Sequence, residues 1–262
     1  MSSADLTTVV LLATVTFLLG LVIGFIGAGG AGLLVALLTS AFGLPVHTAI
    51  GTALATMCLV TISGGASHLR EGNVAPRVGL VVGLAGAAGA VVGAHYSQLV
   101  PEAQLQVLAG LGLWGLTALM WVRTRFHAGV ASSWDDWAGE TSRPARDWAA
   151  SVGLGVSGGA AAAFLGVGMA PFLQLGYLAV LKLPLRQAVG TTMMTLIFIS
   201  ASGSLALWQA GDVSVPHFAG ATIGLAGGAY LGARFTRRAP KEVLRFAVLA
   251  VPFIAGAILL FV

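Results

Sequence analysis

Between about Leu6 and Phe42 the chain is apolar for a stretch too long for one membrane helix and marginal for two. Roughly 20 residues, rising 1.5 Å each, cross the hydrocarbon. Inside that stretch lies Gly27-Ala28-Gly29-Gly30-Ala31-Gly32. Glycine loses more backbone freedom in a helix than any other ordinary residue. A dense cluster therefore marks a place where a helix stops, turns, or lets something approach the main chain. At membrane depth this is tolerated where the freed N–H and C=O groups face protein, water or a ligand. Gly166-Val167-Gly168 repeats the feature 139 residues later, in a second over-long block. A helix broken twice at corresponding places points to a transport site.

Composition fixes the class. The chain of 262 residues is 57% hydrophobic and 8% charged, with a mean hydropathy of +0.94, where soluble domains carry about a quarter charged residues. The reading is a polytopic, all-α membrane protein. The net charge of +4 belongs to loops and topology, and no basic run with interleaved aromatics supports nucleic-acid binding. Cys58, the single cysteine, excludes an intrachain disulfide or thiolate cluster. Met1 to Leu6 lacks the positive region of a signal peptide, so the first block is expected to stay as a span. No paired carboxylates, His cluster or nucleophile–base set lies within a span, which disfavours an enzyme and gives no metal or cofactor site.

Eight apolar blocks fall at about 6–43, 46–67, 74–95, 103–122, 147–181, 185–208, 214–234 and 242–262. Six are ordinary spans, and the first and fifth each read as a helix, a glycine turn and a shorter second piece. Eight to ten membrane-embedded helices result. Residues 1–122 form one half and 147–262 the other, joined by an interfacial linker at 123–146 that holds Trp134 and Trp137 among charges. At the offset of 139, Leu44-Pro45 meets Leu183-Pro184, Gly51-Thr52 meets Gly190-Thr191, and Ser63-Gly64 meets Ser202-Gly203. Dipeptides in one fixed register indicate internal duplication. If each over-long block makes no net crossing, every Lys and Arg falls on one face. The positive-inside rule then gives inverted halves with both termini outside.

The run 27–32 matches a dinucleotide fingerprint in letters, yet no βαβ unit surrounds it. What survives is a nest of backbone N–H groups at a helix start, suited to an anion. Helix packing is the plainer alternative, and it is the reading for Gly89-x-x-x-Gly93 and Gly224-x-x-x-Gly228-x-x-x-Gly232. The candidate binding residues are Gly27, Gly29, Gly30, Gly166 and Gly168, with the hydroxyls of Thr52, Thr191 and Thr192. Membrane threonines as often bond their own i−4 carbonyl. Ser63, Ser202 and Gln174 are weaker candidates. His47 and Arg186, equivalent in the two halves, read as interfacial anchors rather than ligands.

On Gly27-Ala28-Gly29-Gly30, Ala49-Ile50-Gly51-Thr52, Gly166-Val167-Gly168 and Ala188-Val189-Gly190-Thr191, the chain resembles the TauE/SafE sulfite exporter family. Ser202-Gly203 and Gly211-Asp212-Val213 also fit, and the likeness covers nearly everything outside the linker. Met169 or Ala170 stands where the family usually has a further glycine, which implies a smaller or asymmetric second nest, and in the first motif Gly32 stands where a proline is common. The resemblance implies a secondary transporter exporting a small sulfur-containing anion, sulfite or an organosulfonate, by alternating access. An importer or channel of the same fold and a non-transporting assembly subunit are the alternatives. Its implied setting is the bacterial cytoplasmic membrane, as a multi-pass protein, with the anion and the bilayer as partners and a homo-oligomer allowed.

Overall fold

The structure, a computed structural model, describes residues 3–26, 30–70, 72–126, 148–166, 169–236 and 241–261. Among the described residues there are ten helices and no strand: α1 (Ser3–Ile26), α2 (Ala31–Ser40), α3 (Val46–Arg70), α4 (Pro76–Ser97), α5 (Glu102–Phe126), α6 (Trp148–Leu165), α7 (Ala170–Ala179), α8 (Leu185–Gln209), α9 (Val215–Thr236) and α10 (Lys241–Phe261). Each over-long block is two helices, and α5 continues through Arg123 to Phe126. By length and composition alone, Val46–Arg70, Pro76–Ser97, Trp148–Leu165 and Gln187–Gln209 are long and apolar enough to cross a membrane. The first residues of α2, α3, α4 and α5 lie 139 positions before those of α7, α8, α9 and α10.

Small residues decide which helices meet. Thr16 and Gly20 of α1 lie against Gly224 and Gly228 of α9, where a methyl group on Gly228 would fall 2.1 Å from the Phe17 carbonyl oxygen. On the other side α4 and α6 touch in the same way, and a methyl on Gly93 would sit 2.2 Å from the Ala160 carbonyl oxygen. These glycines let two backbones approach so closely that only a hydrogen fits between them, a common device of membrane helices. Both contacts are parallel, and both join the first five helices to the last five. Between them α3 and α8 run antiparallel, with Leu54 near Gly203 and Gly65 near Met193. At the periphery α5 and α10 pair antiparallel through Gln106 and the Leu259 carbonyl (2.9 Å) and through stacked Trp114 and Phe253.

These directions sort the helix ends onto two faces. The Phe42 ring, just past α2, meets His217 at the start of α9, so α2 ends on the face from which α1 set out. Gly158 near Leu173 and Gly176 near Leu154 likewise turn α7 back along α6. Each pair thus begins and ends on one side of the bundle. The starts of α1, α3, α5 and α9 and the ends of α4, α8 and α10 share one face, called here the termini face. Among the described residues, it holds Asp5, His47, His95, Glu102, Asp212 and His217 and no Lys or Arg. Arg70, Arg77, Arg123, Arg125, Lys182, Arg186, Arg234, Lys241 and Arg245 all belong to helix ends of the opposite face.

Candidate functional site

Both glycine clusters coincide with real helix breaks. The first lies between Ile26 and Ala31, where Gly30 is the residue capping α2. A methyl on Gly30 would fall 2.0 Å from the Ile23 side chain. The second lies between Leu165 and Ala170, where Met169 precedes α7 and Pro171 occupies its first turn. Gly166 ends α6 with φ +66°, a left-handed conformation that L residues avoid. A methyl there would meet Ile50 of α3 at 2.4 Å. Gly27, Gly29 and Gly168 lie outside the described residues.

Both breaks adjoin neighbouring residues of α5. Leu165, the last residue of α6, reaches the backbone of Gly112, while Gly32, at the start of α2, faces the next residue, Leu113. These two neighbours stand near the middle of α5, about 15 Å along it from Glu102 at 1.5 Å per residue. A hydrocarbon core is about 30 Å thick. The α2 and α7 starts are both interior, with Ala31 and Ala170 at most 1% exposed, and neither has a side-chain cap. The first N–H groups of a helix have no partner within it. Buried and uncapped, these donors require an acceptor from elsewhere, and an anion is one that the dipole of each helix favours.

The threonines do something more specific than their types foretold. Thr52, wholly buried, accepts the backbone N–H of Ser214 at 3.0 Å, and Thr191 accepts that of Ala75 at the same distance. The preceding glycines complete the grip: a methyl on Gly51 would fall 2.0 Å from the Asp212 carbonyl oxygen, and one on Gly190 would fall 2.0 Å from that of Asn73. Gly51-Thr52 of α3 therefore holds the turn before α9, and Gly190-Thr191 of α8 holds the turn before α4. Both turns are built alike, since Gly72 and Gly211 take positive φ in helix-ending motifs in which Asn73 donates to the His68 carbonyl and Asp212 to that of Leu207. The grip uses the threonine oxygens as acceptors. Thr192 instead donates to the Ala188 carbonyl at 2.7 Å, one turn back in its own helix.

Among the weaker candidates, Ser202 donates to the Ala87 carbonyl of α4 (3.1 Å), Ser63 is exposed and Gln174 is partly buried. His47 contacts the Ser97 carbonyl (2.9 Å) and Glu102 (3.8 Å), as an anchor does. Sequence reasoning missed the two turns, although Gly72 and Gly211, with Asn73 and Asp212 beside them, stand in the same 139-residue register.

The family model described as "Sulfite exporter TauE/SafE" matches residues 12–259. The chain is also similar to a Bacillus subtilis (strain 168) protein named "Probable membrane transporter protein YdhB". The two are 38% identical over 251 residues, spanning 96% of this chain and 100% of that protein. No solved structure matches. The family and its named relative are transporters, not enzymes, and the helices described above are those of an integral multi-pass protein. The chain belongs to the TauE/SafE family of membrane transporters.

Proposed function

We propose that the chain exports a small sulfur-containing anion, sulfite or an organosulfonate, by alternating access between two inverted, duplicated halves, 1–122 and 147–262, linked by 123–146. The observation that carries this reading is the pair of uncapped, interior helix starts that follow breaks adjoining neighbouring residues of α5. Backbone N–H groups around Gly27, Gly29, Gly30, Gly166 and Gly168 would hold the anion. Thr52 and Thr191 each retain a hydroxyl proton and grip turns on opposite faces, so each would donate to the anion at a different stage of its passage. Thr192 would contribute shape rather than a proton, its own being given to Ala188.

Sidedness follows from charge. With Lys and Arg gathered opposite the termini, the positive-inside rule puts both termini outside a bacterial cytoplasmic membrane. A substrate anion is then drawn toward a positive inner face and expelled past a face of carboxylates and histidines. The membrane potential supplies about 2.3 kcal/mol per charge per 100 mV, so a neutral site needs no second ion. Export of labelled sulfite from proteoliposomes under an inside-negative potential tests this. Gly30→Leu and Gly166→Leu should each abolish the flux while the protein still inserts, and Gly153→Leu, with open space around it, should retain it. Undiminished flux in the first two variants would count decisively against the nest.

A further inference from the structure

Asp212, in the turn between α8 and α9, is held by more than its backbone. Its carboxylate accepts two hydrogen bonds from the other half. Thr48, in the first turn of α3, donates from Oγ1 to Oδ1 at 3.3 Å, and Gln98, just past α4, donates from Nε2 to Oδ2 at 2.8 Å. The Asp212 N–H is bonded to Leu207 and its carbonyl rests on Gly51, so the turn itself is fixed within both halves. The side chain thus ties the turn before α9 to the start of α3 and the end of α4 on the termini face. Beside it, Ser214 and His217 pair at 2.7 Å. The residue 139 positions earlier, on the opposite face, is Asn73, whose carbonyl makes the equivalent contact with Gly190. Backbone roles match, but one position carries a charge and the other does not. Hydrogen bonds to an ionised group are roughly twice as strong as neutral ones.

We propose that Asp212 is the gate residue of the termini-side mouth. Its bonds to Thr48 and Gln98 help keep that mouth shut in the state seen here, and opening breaks them together with the Gly51 and Thr52 contacts to the same turn. An anion leaving through the opened mouth then meets a carboxylate and is not retained. The inference rests on the two-mouthed transport reading above, and it assigns a carboxylate fastening to the termini-side mouth.

Cys58 supplies the test. It is half-buried on α3, about 15 Å along the helix from Thr48, and its thiol meets the Ser200 hydroxyl across the α3–α8 seam. A sulfonated, membrane-impermeant thiosulfonate reagent is applied to full-length protein in vesicles, from the side that tags show to carry the termini. Modification should be slow in the parent protein. It should accelerate about five-fold or more both in Asp212→Ala and in the double variant Thr48→Val/Gln98→Leu, corresponding to a coupling of 1 kcal/mol or above. The double variant keeps the carboxylate and decides the matter if Asp212→Ala fails to insert. A smaller acceleration in either correctly inserted variant, or fast modification of the parent, overturns the proposal. Sulfite efflux measured in the same vesicles is separate, since its absence would sink the export reading and leave the labelling result standing.

Discussion

Thr52 and Ser214 lie 162 positions apart, and the hydroxyl oxygen of the first accepts the backbone N–H of the second at 3.0 Å. The same bond joins Thr191 to Ala75, at the same length. Replacing either threonine by valine keeps the shape and strands a backbone N–H. Thr52→Val and Thr191→Val should each lower stability by about 1–3 kcal/mol, read as a fall in thermal unfolding temperature in detergent. Serine at either position should restore most of the loss. Thr192→Val, which removes a bond made within one helix, should change it far less.

The glycines beside those threonines leave no room for a side chain. Gly51→Ala and Gly190→Ala would each drive a methyl to 2.0 Å from a carbonyl oxygen. Each should cost about 1–3 kcal/mol or more as an overpacked contact, visible as a lower yield of monodisperse protein. Gly115→Ala meets nothing within 4 Å. It should be neutral or stabilising by up to about 1 kcal/mol, as alanine is in a helix.

Lys182 and Gly43 occupy equivalent turns, after α7 and α2, with φ of 51° and 63°. Lysine there carries a left-handed strain that glycine does not. Lys182→Gly should therefore raise stability and Gly43→Ala lower it, each by about 1 kcal/mol, with opposite shifts in the melting curve. Nothing lies near Gly43 for the new methyl to strike, so that second shift isolates the backbone.

Topology is open to direct measurement. Epitope tags at the two ends should be reached by antibody in intact spheroplasts, and a protease site placed in residues 127–147 should be cut after lysis alone. Accessibility of that linker from outside would reverse the sidedness derived from the positive charges.

Much of the fold was legible in the letters. The excess length of the first and fifth blocks and their glycine clusters foretold the breaks at Ile26/Ala31 and Leu165/Ala170. The spacing of Gly89, Gly93, Gly224 and Gly228 foretold close packing. Lys and Arg positions, combined with blocks that return on themselves, foretold one basic face. The Gly-Thr pairs were harder to read. Their type suggested donors to a ligand, whereas Thr52 and Thr191 act as acceptors for turns that pattern analysis treats as mere connections. Such a contact leaves no periodicity in the sequence, because one partner is a backbone atom whose identity any residue supplies. Gly51 and Gly190 hint at it through absence, since a missing Cβ does not say what fills the space.

The principal neighbour of α1 is α9, which is synthesised most of a chain later. At ~5–20 residues per second, α1 leaves the ribosome roughly ten to forty seconds before its mate exists. During that wait its future seam faces lipid or an insertase. Thr16 is prepared for this, because its hydroxyl already donates to Leu12 in the same helix at 2.7 Å. α1 can therefore be parked in the bilayer with its hydroxyl satisfied until α9 arrives.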